Sequence, residues 1–146
     1  MKKPILLNPD LGLLAMRLMI GVVGVFHGAG KLFNAFDGPG LKAFADALKS
    51  MNVPAPYPSA ILAGIAECFG GALIAIGLFP RLATLPFAFT MFVAFFTAHK
   101  GVFSGAKQGG EYALSLGVFA IGLFFTGAGR YSIAGLLGGR TPAPKS

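Results

Sequence analysis

The fold is decided by residues 11–33, LGLLAMRLMIGVVGVFHGAGKLF, in which only Arg17, His27 and Lys31 can carry a charge. A helix of about 20 mostly apolar residues is long enough to cross the hydrocarbon core of a bilayer. Pro9 and Asp10, just before this stretch, are typical of a helix start. The stretch therefore predicts a transmembrane helix.

Composition points to the same environment. The chain of 146 residues is 55% apolar and only 12% charged, about half the charged fraction of a soluble domain. Its net charge of +7 comes from basic residues that stand singly or in pairs at the ends of apolar stretches. This pattern indicates anchoring in anionic lipid and argues against nucleic acid as a partner. Cys68 is the single cysteine, so an intramolecular disulfide or a CxxC redox pair is excluded.

Three further apolar stretches, residues 57–79, 82–99 and 111–127, also have spanning length. A backbone in lipid must satisfy its hydrogen bonds internally, and the alternation typical of barrel strands is absent, so we expect helices. The predicted fold is all-α, an integral membrane four-helix bundle formed by one domain over residues 1–146.

Residues 34–56 connect the first two spans. Within them Leu41, Phe44, Ala45 and Leu48 recur at i, i+3, i+4 and i+7, which places them on one helix face. The spacing predicts a short amphipathic helix on the membrane surface. It is either a lid over one end of the bundle or a solvated connector.

Small residues recur at spacings that let helices approach closely, within one chain or between subunits. They are Gly24 and Gly28 in the first span, and Ala60, Gly64, Cys68 and Ala72 in the second. The third span instead has bulky side chains that we expect to face lipid: Phe87, Phe89, Phe92, Phe95 and Phe96.

Orientation follows from the basic residues near the span ends, which concentrate on the cytoplasmic side of membrane proteins. With both termini inside, the cytoplasmic side holds Lys2, Lys3, Arg81, Arg130, Arg140 and Lys145. The outer side holds Lys42, Lys49, Lys100 and Lys107. We therefore expect an N-in/C-in protein whose first residues are a cytoplasmic tail and not a cleaved signal peptide.

Ionisable side chains inside a span are expensive and are candidates for function. They are Arg17, His27, Lys31, Glu67, His99 and Glu111. At about 1.5 Å of rise per residue, all but Arg17 fall in the outer half, and they come from all four helices. If they face inward, they form one polar pocket that opens outward.

Each of these residues also has a purely structural interpretation. Arg17, in the inner half, could reach Glu67 and form a structural ion pair. Lys31 and Glu111 could extend to the headgroups, and His99 could be an interfacial residue. His27 lies deeper, one turn below Lys31, where plain hydrogen bonding is the structural alternative.

The chemistry is narrowed by what the sequence lacks. It has no HExxH, GxSxG, Walker or GxGxxG signature and no metal-ligand cluster. A b-type haem between His27 and His99 remains an alternative, but it would need facing imidazoles at equal depth, and the position of His99 near its helix end argues against it. A quinone needs only an apolar slot with a few polar side chains that bind its carbonyls and pass protons.

At these residues the sequence resembles the DoxX family of small bacterial membrane proteins. The first span reads RLMIGVVGVFHGAGKLF from Arg17, and the second contains ECFGGALIAIGLFPRLA from Glu67. His99, the pair Gly110-Glu111 and the run GAGRYSI at 127–133 complete the similarity. Ala134 stands where the family typically has an aspartate.

The resemblance implies a four-helix protein of the bacterial cytoplasmic membrane. Relatives include a subunit of thiosulfate:quinone oxidoreductase and members of membrane oxidoreductase complexes. The family pattern is matched at Arg17, His27, Lys31, Glu67, His99 and Glu111.

Our leading hypothesis is a membrane subunit of a redox system that offers a quinone-type pocket, together with a redox partner protein or further copies of itself. His27, Lys31 and His99 would bind the ligand, and Glu67 and Glu111 would exchange protons. Two alternatives remain open: a non-enzymatic scaffold or assembly factor, and a transporter of a small solute or of protons.

Overall fold

The computed structural model describes residues 8–104 and 109–138, and the regular structure in these residues is helical throughout. Six α-helices follow one another in this part of the chain, with a short 3-10 turn after the first. They are α1 (Pro9–Phe33), α2 (Gly40–Ser50), α3 (Pro56–Ile76), α4 (Pro80–Thr97), α5 (Glu111–Thr126) and α6 (Ile133–Leu137). The all-α fold predicted from the sequence is confirmed.

The helix ends follow local rules. Asn8 caps α1 by accepting a hydrogen bond from the backbone N–H of Asp10 at 3.1 Å. Gly77 ends α3 in the left-handed conformation with φ of 68°, which glycine adopts at little cost. The second predicted span therefore stops at Ile76 rather than at 79, and Pro80 opens α4 in its first turn.

Three helices, α1, α3 and α4, are long and apolar enough to cross a membrane. The fourth apolar helix, α5, has 16 residues, about 24 Å of helix against about 30 Å of hydrocarbon core. It packs along α4 in the antiparallel sense, because Gly110 lies beside Phe95 and Gly117 beside Met91. The protein is thus a membrane bundle built from four apolar helices.

The closest packing in the bundle joins α1 to α3, also antiparallel. A Cβ added to Gly28 would overlap the backbone of Cys68, and one on Gly24 would lie 2.8 Å from the carbonyl oxygen of Glu67. A Cβ on Gly71 would come within 3.0 Å of the Gly21 carbonyl oxygen. The predicted small-residue contact is therefore present, with the backbones touching directly.

Two details of the predicted helix faces were wrong. Ala72 is exposed, and its expected place in the α3 row is taken by Gly71. Phe87 and Phe95 do not face lipid, because they lie four residues apart from Met91 on the buried face of α4. The aromatic residues that do face outward are Phe89 and Phe96.

Helix α2 confirms the predicted amphipathic segment. Ala45 and Leu48 are buried against Ala60 of α3, and Leu41 and Phe44 pack beside them. Helix α2 therefore lies over the end of the bundle where α1 ends and α3 begins. We call this the Lys31 end, and the opposite end, where α1 begins and α3 ends, the Arg17 end.

The α1–α3 contact predicts a sharp difference between two glycines of one helix. Gly28→Ala should lower the free energy of unfolding by about 1–3 kcal/mol, because the new methyl group must push the two backbones apart. Gly12→Ala is the matched control, since its Cβ would meet no atom within 4 Å. Thermal unfolding in detergent, followed by circular dichroism, would measure both. Equal melting temperatures for the two variants would contradict this packing.

Candidate functional site

The centre of the candidate site is an ion pair between α1 and α3. Lys31 Nζ lies 2.6 Å from both carboxylate oxygens of Glu67. The Glu67 side chain is 1% exposed and that of Lys31 is 22% exposed. Burial removes the water that would otherwise solvate a carboxylate, and the ammonium group of Lys31 supplies the compensating contacts.

Helix α2 covers this pair from one side. Lys31 Nζ lies 4.8 Å from the centre of the Phe44 ring, a cation–π distance. An ammonium group has three N–H donors, and the two Glu67 oxygens accept two of them. The third N–H of Lys31 is not used by Glu67, and Lys31 is partly exposed. A ligand could therefore contact the pair through the Lys31 ammonium group.

The predicted ion pair between Arg17 and Glu67 is wrong. Arg17 donates from Nη1 to the Ala75 carbonyl oxygen at 2.9 Å and from Nη2 to the Tyr131 carbonyl oxygen. Glu67 lies two turns of α3 from Ala75, about 12 Å along the helix axis, which is beyond the reach of the Arg17 side chain. Lys31 is the nearer cation and takes the carboxylate.

Arg17 is 1% exposed, and no carboxylate contacts it among the described residues. Its charge is placed at the C-terminal end of α3, where the last carbonyl groups have no partner within the helix and carry partial negative charge. This position explains how an unpaired arginine is tolerated inside the bundle. Its role is to hold structure, since both of its bonds go to backbone.

The segment after α5 is fastened at the same place. The Arg130 N–H donates to Asp10 Oδ1 at 2.9 Å, and the Ala134 N–H donates to the Gly77 carbonyl oxygen at 3.1 Å. Ser132 caps α6 by accepting from the Gly135 N–H at 2.9 Å. Residues 130–134 therefore join the start of α1 and the end of α3 to the start of α6, without the aspartate expected at position 134.

His27 lies exposed on α1, one turn from Lys31 toward the middle of the membrane. Its ring centre is 5.5 Å from Phe26 and 6.3 Å from Tyr112, which belongs to the first turn of α5. No hydrogen bond connects the imidazole to any residue that the structure describes. His27 and Tyr112 thus present two polar groups from facing helices at the Lys31 end.

Glu111 and His99 lie near the same end, where α4 finishes and α5 starts. Glu111 Oε2 is buried without a hydrogen-bond partner in the described part of the chain. His99 lies beside Gly110, whose Cβ, if present, would be 2.8 Å from the Cβ of His99. Glu111 is therefore a carboxylate with an unused acceptor next to Tyr112 in sequence.

The expected single pocket appears here in separate parts. Lys31 and Glu67 are in contact, and His27 is near Tyr112, but no hydrogen bond within residues 8–104 and 109–138 joins one set to the other. Two grooves on the surface, of about 260 and 780 Å³, are lined by other residues, mostly apolar.

Sequence reasoning missed three contributors to these sites. Phe44 was assigned to the apolar face of α2 without its contact to Lys31. Tyr112 carried one usable signal, an aromatic residue directly after Glu111 at a helix start. The carbonyl groups that bind Arg17 gave no signal, since any residue can supply them.

The geometry of Arg17 predicts that lysine cannot replace it. Arg17→Lys should lower the free energy of unfolding by about 1–3 kcal/mol, because a single ammonium cannot span two carbonyl groups as the guanidinium fork does. Hydrogen exchange of residues 127–137 should rise in parallel. Arg130→Lys, at an exposed position, is the control and should change neither quantity. Unaltered exchange in Arg17→Lys would contradict the docking role.

The ion pair predicts strong coupling between its two members. Lys31→Met alone should cost about 3–5 kcal/mol of unfolding free energy, because Glu67 remains buried without a cation. Lys31→Met combined with Glu67→Leu should recover most of that loss, since the replacement is apolar on both sides. Lys49→Met, at an exposed position of α2, is the matched control. Additive losses in the double variant would show that the two side chains do not interact.

Comparison with known proteins agrees with the motifs. The sequence profile of the DoxX family matches residues 12–100, more than half of the chain. An uncharacterized protein of Haemophilus influenzae is 28% identical over 118 residues, which cover 78% of this chain and 81% of that protein. No solved structure matches the chain. On the family match and the membrane bundle described above, the chain belongs to the DoxX family.

Proposed function

We propose that this protein is the membrane subunit of a redox system and binds a quinone-type ligand at the Lys31 end. The observation that carries the proposal is the Lys31–Glu67 pair, at 2.6 Å, inside an apolar bundle. A buried ion pair adds little net stability over apolar side chains of equal size. Its presence is therefore better accounted for by a role in binding or proton exchange.

The groups around the pair fit a quinone. Such a ligand accepts two electrons and two protons through its two carbonyl oxygens. His27 and the Tyr112 hydroxyl are exposed donors at a similar level of the membrane, and their rings are 6.3 Å apart. Phe26, stacked on Phe36 at 4.8 Å, adds an apolar surface next to His27.

Proton exchange falls to the carboxylates in this proposal. Glu67 is held by Lys31 and can pass a proton when that contact opens, while Glu111 has an unused buried oxygen. His99, at the end of α4, belongs to the same end of the bundle and keeps its proposed role in ligand binding. We also propose an N-in/C-in orientation in the cytoplasmic membrane, which places this end outside, toward a redox partner protein or a further copy.

Ligand binding tests the proposal directly. Purified full-length protein in detergent should bind a short-chain ubiquinone analogue in equilibrium dialysis. His27→Ala and Tyr112→Phe should each weaken binding about fivefold to tenfold, the value of one lost hydrogen bond. Tyr57→Phe is a matched control, since Tyr57 is exposed to the same degree and opens α3 at the same end.

Two results would overturn the proposal. One is an affinity that is equal in the unaltered protein and in His27→Ala. The other is a Soret band in the absorption spectrum of the purified protein, which would indicate haem in place of a quinone.

A further inference from the structure

A groove of about 780 Å³ lies between α3 and α4, apart from the ionisable residues of the candidate site. Helix α3 lines it from Ser59 to Leu73, and α4 lines it from Leu82 to Thr97. The connection between α2 and α3, residues 51–54, lines its Lys31 end. Both helices are long enough to span the membrane, so the groove faces the hydrocarbon core.

The groove has an apolar body and polar groups toward one end only. Its inner residues include the buried Gly70 and Ala83, and its rim consists of large exposed side chains. The rim residues are Leu62, Ile65, Phe69, Leu82 and Phe89. The polar residues all lie in the half nearer the Lys31 end: Asn52, Ser59, Thr90 and Thr97. This distribution matches an amphiphile whose headgroup lies at the Lys31 end.

We propose that the groove binds one anionic phospholipid, with its acyl chains between α3 and α4 and its phosphate at the Lys31 end. The site is independent of the proposed quinone-type ligand. It needs no residue of the Lys31–Glu67 pair and lies between a different pair of helices.

Size separates a lipid from a transmembrane helix as the occupant. From Ser59 to Leu73 the groove extends over about 21 Å of helix, somewhat more than the roughly 15 Å depth of one leaflet's hydrocarbon. A helix that crosses the membrane along the groove would need about 30 Å of contact. The groove is too short for such a helix, and it suits chains that enter from one leaflet.

Charge supports an anionic headgroup. Lys49 lies three residues before Asn52, and Lys100 lies three residues after Thr97. Both lysines are exposed, so each of the two chain segments at the polar end carries one. Asp46, one turn back on α2, is the acidic residue nearest in sequence to these lysines. The Asn52 side chain makes no hydrogen bond to any residue that the structure describes, which leaves its amide free to donate to a phosphate oxygen.

Native mass spectrometry of the full-length protein tests the proposal. Protein in detergent would be titrated with dioleoyl phosphatidylglycerol, and separately with dioleoyl phosphatidylcholine, which has the same chains without the net charge. We expect one tightly bound phosphatidylglycerol, held at least tenfold more tightly than phosphatidylcholine. Lys49→Gln with Lys100→Gln should remove that preference and leave binding of the quinone analogue unchanged.

A large side chain introduced into the groove should displace the lipid. Gly70→Phe should reduce phosphatidylglycerol occupancy at least tenfold, and its Cβ meets only the Ala83 carbonyl oxygen at an ordinary 3.5 Å. Gly122→Phe on α5 is the matched control, because a Cβ there meets no atom within 4 Å. Ala63→Phe, also in the groove, repeats the test should Gly70→Phe fail to fold.

Several outcomes would overturn the proposal. Undiminished lipid in both groove variants would show that the chains lie elsewhere, and equal loss in Gly122→Phe would show an indirect effect. Equal affinity for the two phospholipids would remove the anionic headgroup. A quinone that is lost in the groove variants and retained in His27→Ala, or a dimer that only the groove variants dissociate, would assign the groove to another occupant.

Discussion

The structure depends on the direct contact between the backbones of α1 and α3. Glycines at 24, 28 and 71 place no side chain of their own in that contact, so the two backbones meet closely and in one register. In lipid there is no hydrophobic force between helices, and such close packing is a main source of association. The register then fixes which polar groups meet: Lys31 faces Glu67 near one end, and Arg17 meets the last turn of α3 near the other.

The two cations of α1 are accommodated in different ways. Lys31 is neutralised by a full charge, the carboxylate of Glu67, and keeps some exposure. Arg17 has no carboxylate within the described residues. Its two Nη atoms donate to the carbonyl groups of Ala75, at the end of α3, and of Tyr131, while its Nε is buried without a partner among these residues. A guanidinium suits that position because it is weakly hydrated and holds its donors in a rigid plane. An ammonium suits the other position because it can release one of its contacts at low geometric cost.

Much of this architecture could be predicted from the sequence, because membrane helices follow from hydropathy and backbone satisfaction alone. The amphipathic face of α2 and the glycine contact at Gly28 followed from spacing. The Arg17–Glu67 pair did not hold, because sequence gives depth along each helix but not rotation about its axis. The same gap misplaced Phe87, which a helical wheel cannot orient until a neighbour is known.

The partners of the polar side chains also could not be predicted from the sequence, and the reason is general. Arg17 binds main-chain oxygens, which leave no trace in the sequence. Tyr112 approaches His27 only because α5 starts beside α1, a fact of tertiary structure. A sequence therefore identifies which buried charges need explanation, and the structure decides which of them serve the fold.

The polar groups at the two ends of the bundle are bonded in different ways. At the Arg17 end, the run 127–133 encloses the guanidinium, and every assigned bond there goes to backbone or to a helix cap. At the Lys31 end, His27 and Tyr112 are exposed, Lys31 retains a donor, and Glu111 retains an acceptor. Chemistry requires groups whose bonding is incomplete until a ligand arrives. The Lys31 end of the described structure brings several of them together from α1 and α5, whereas the buried unpartnered atom at the Arg17 end is Nε of Arg17. The Arg17 end is therefore best understood as the part that holds α1 in place for the other.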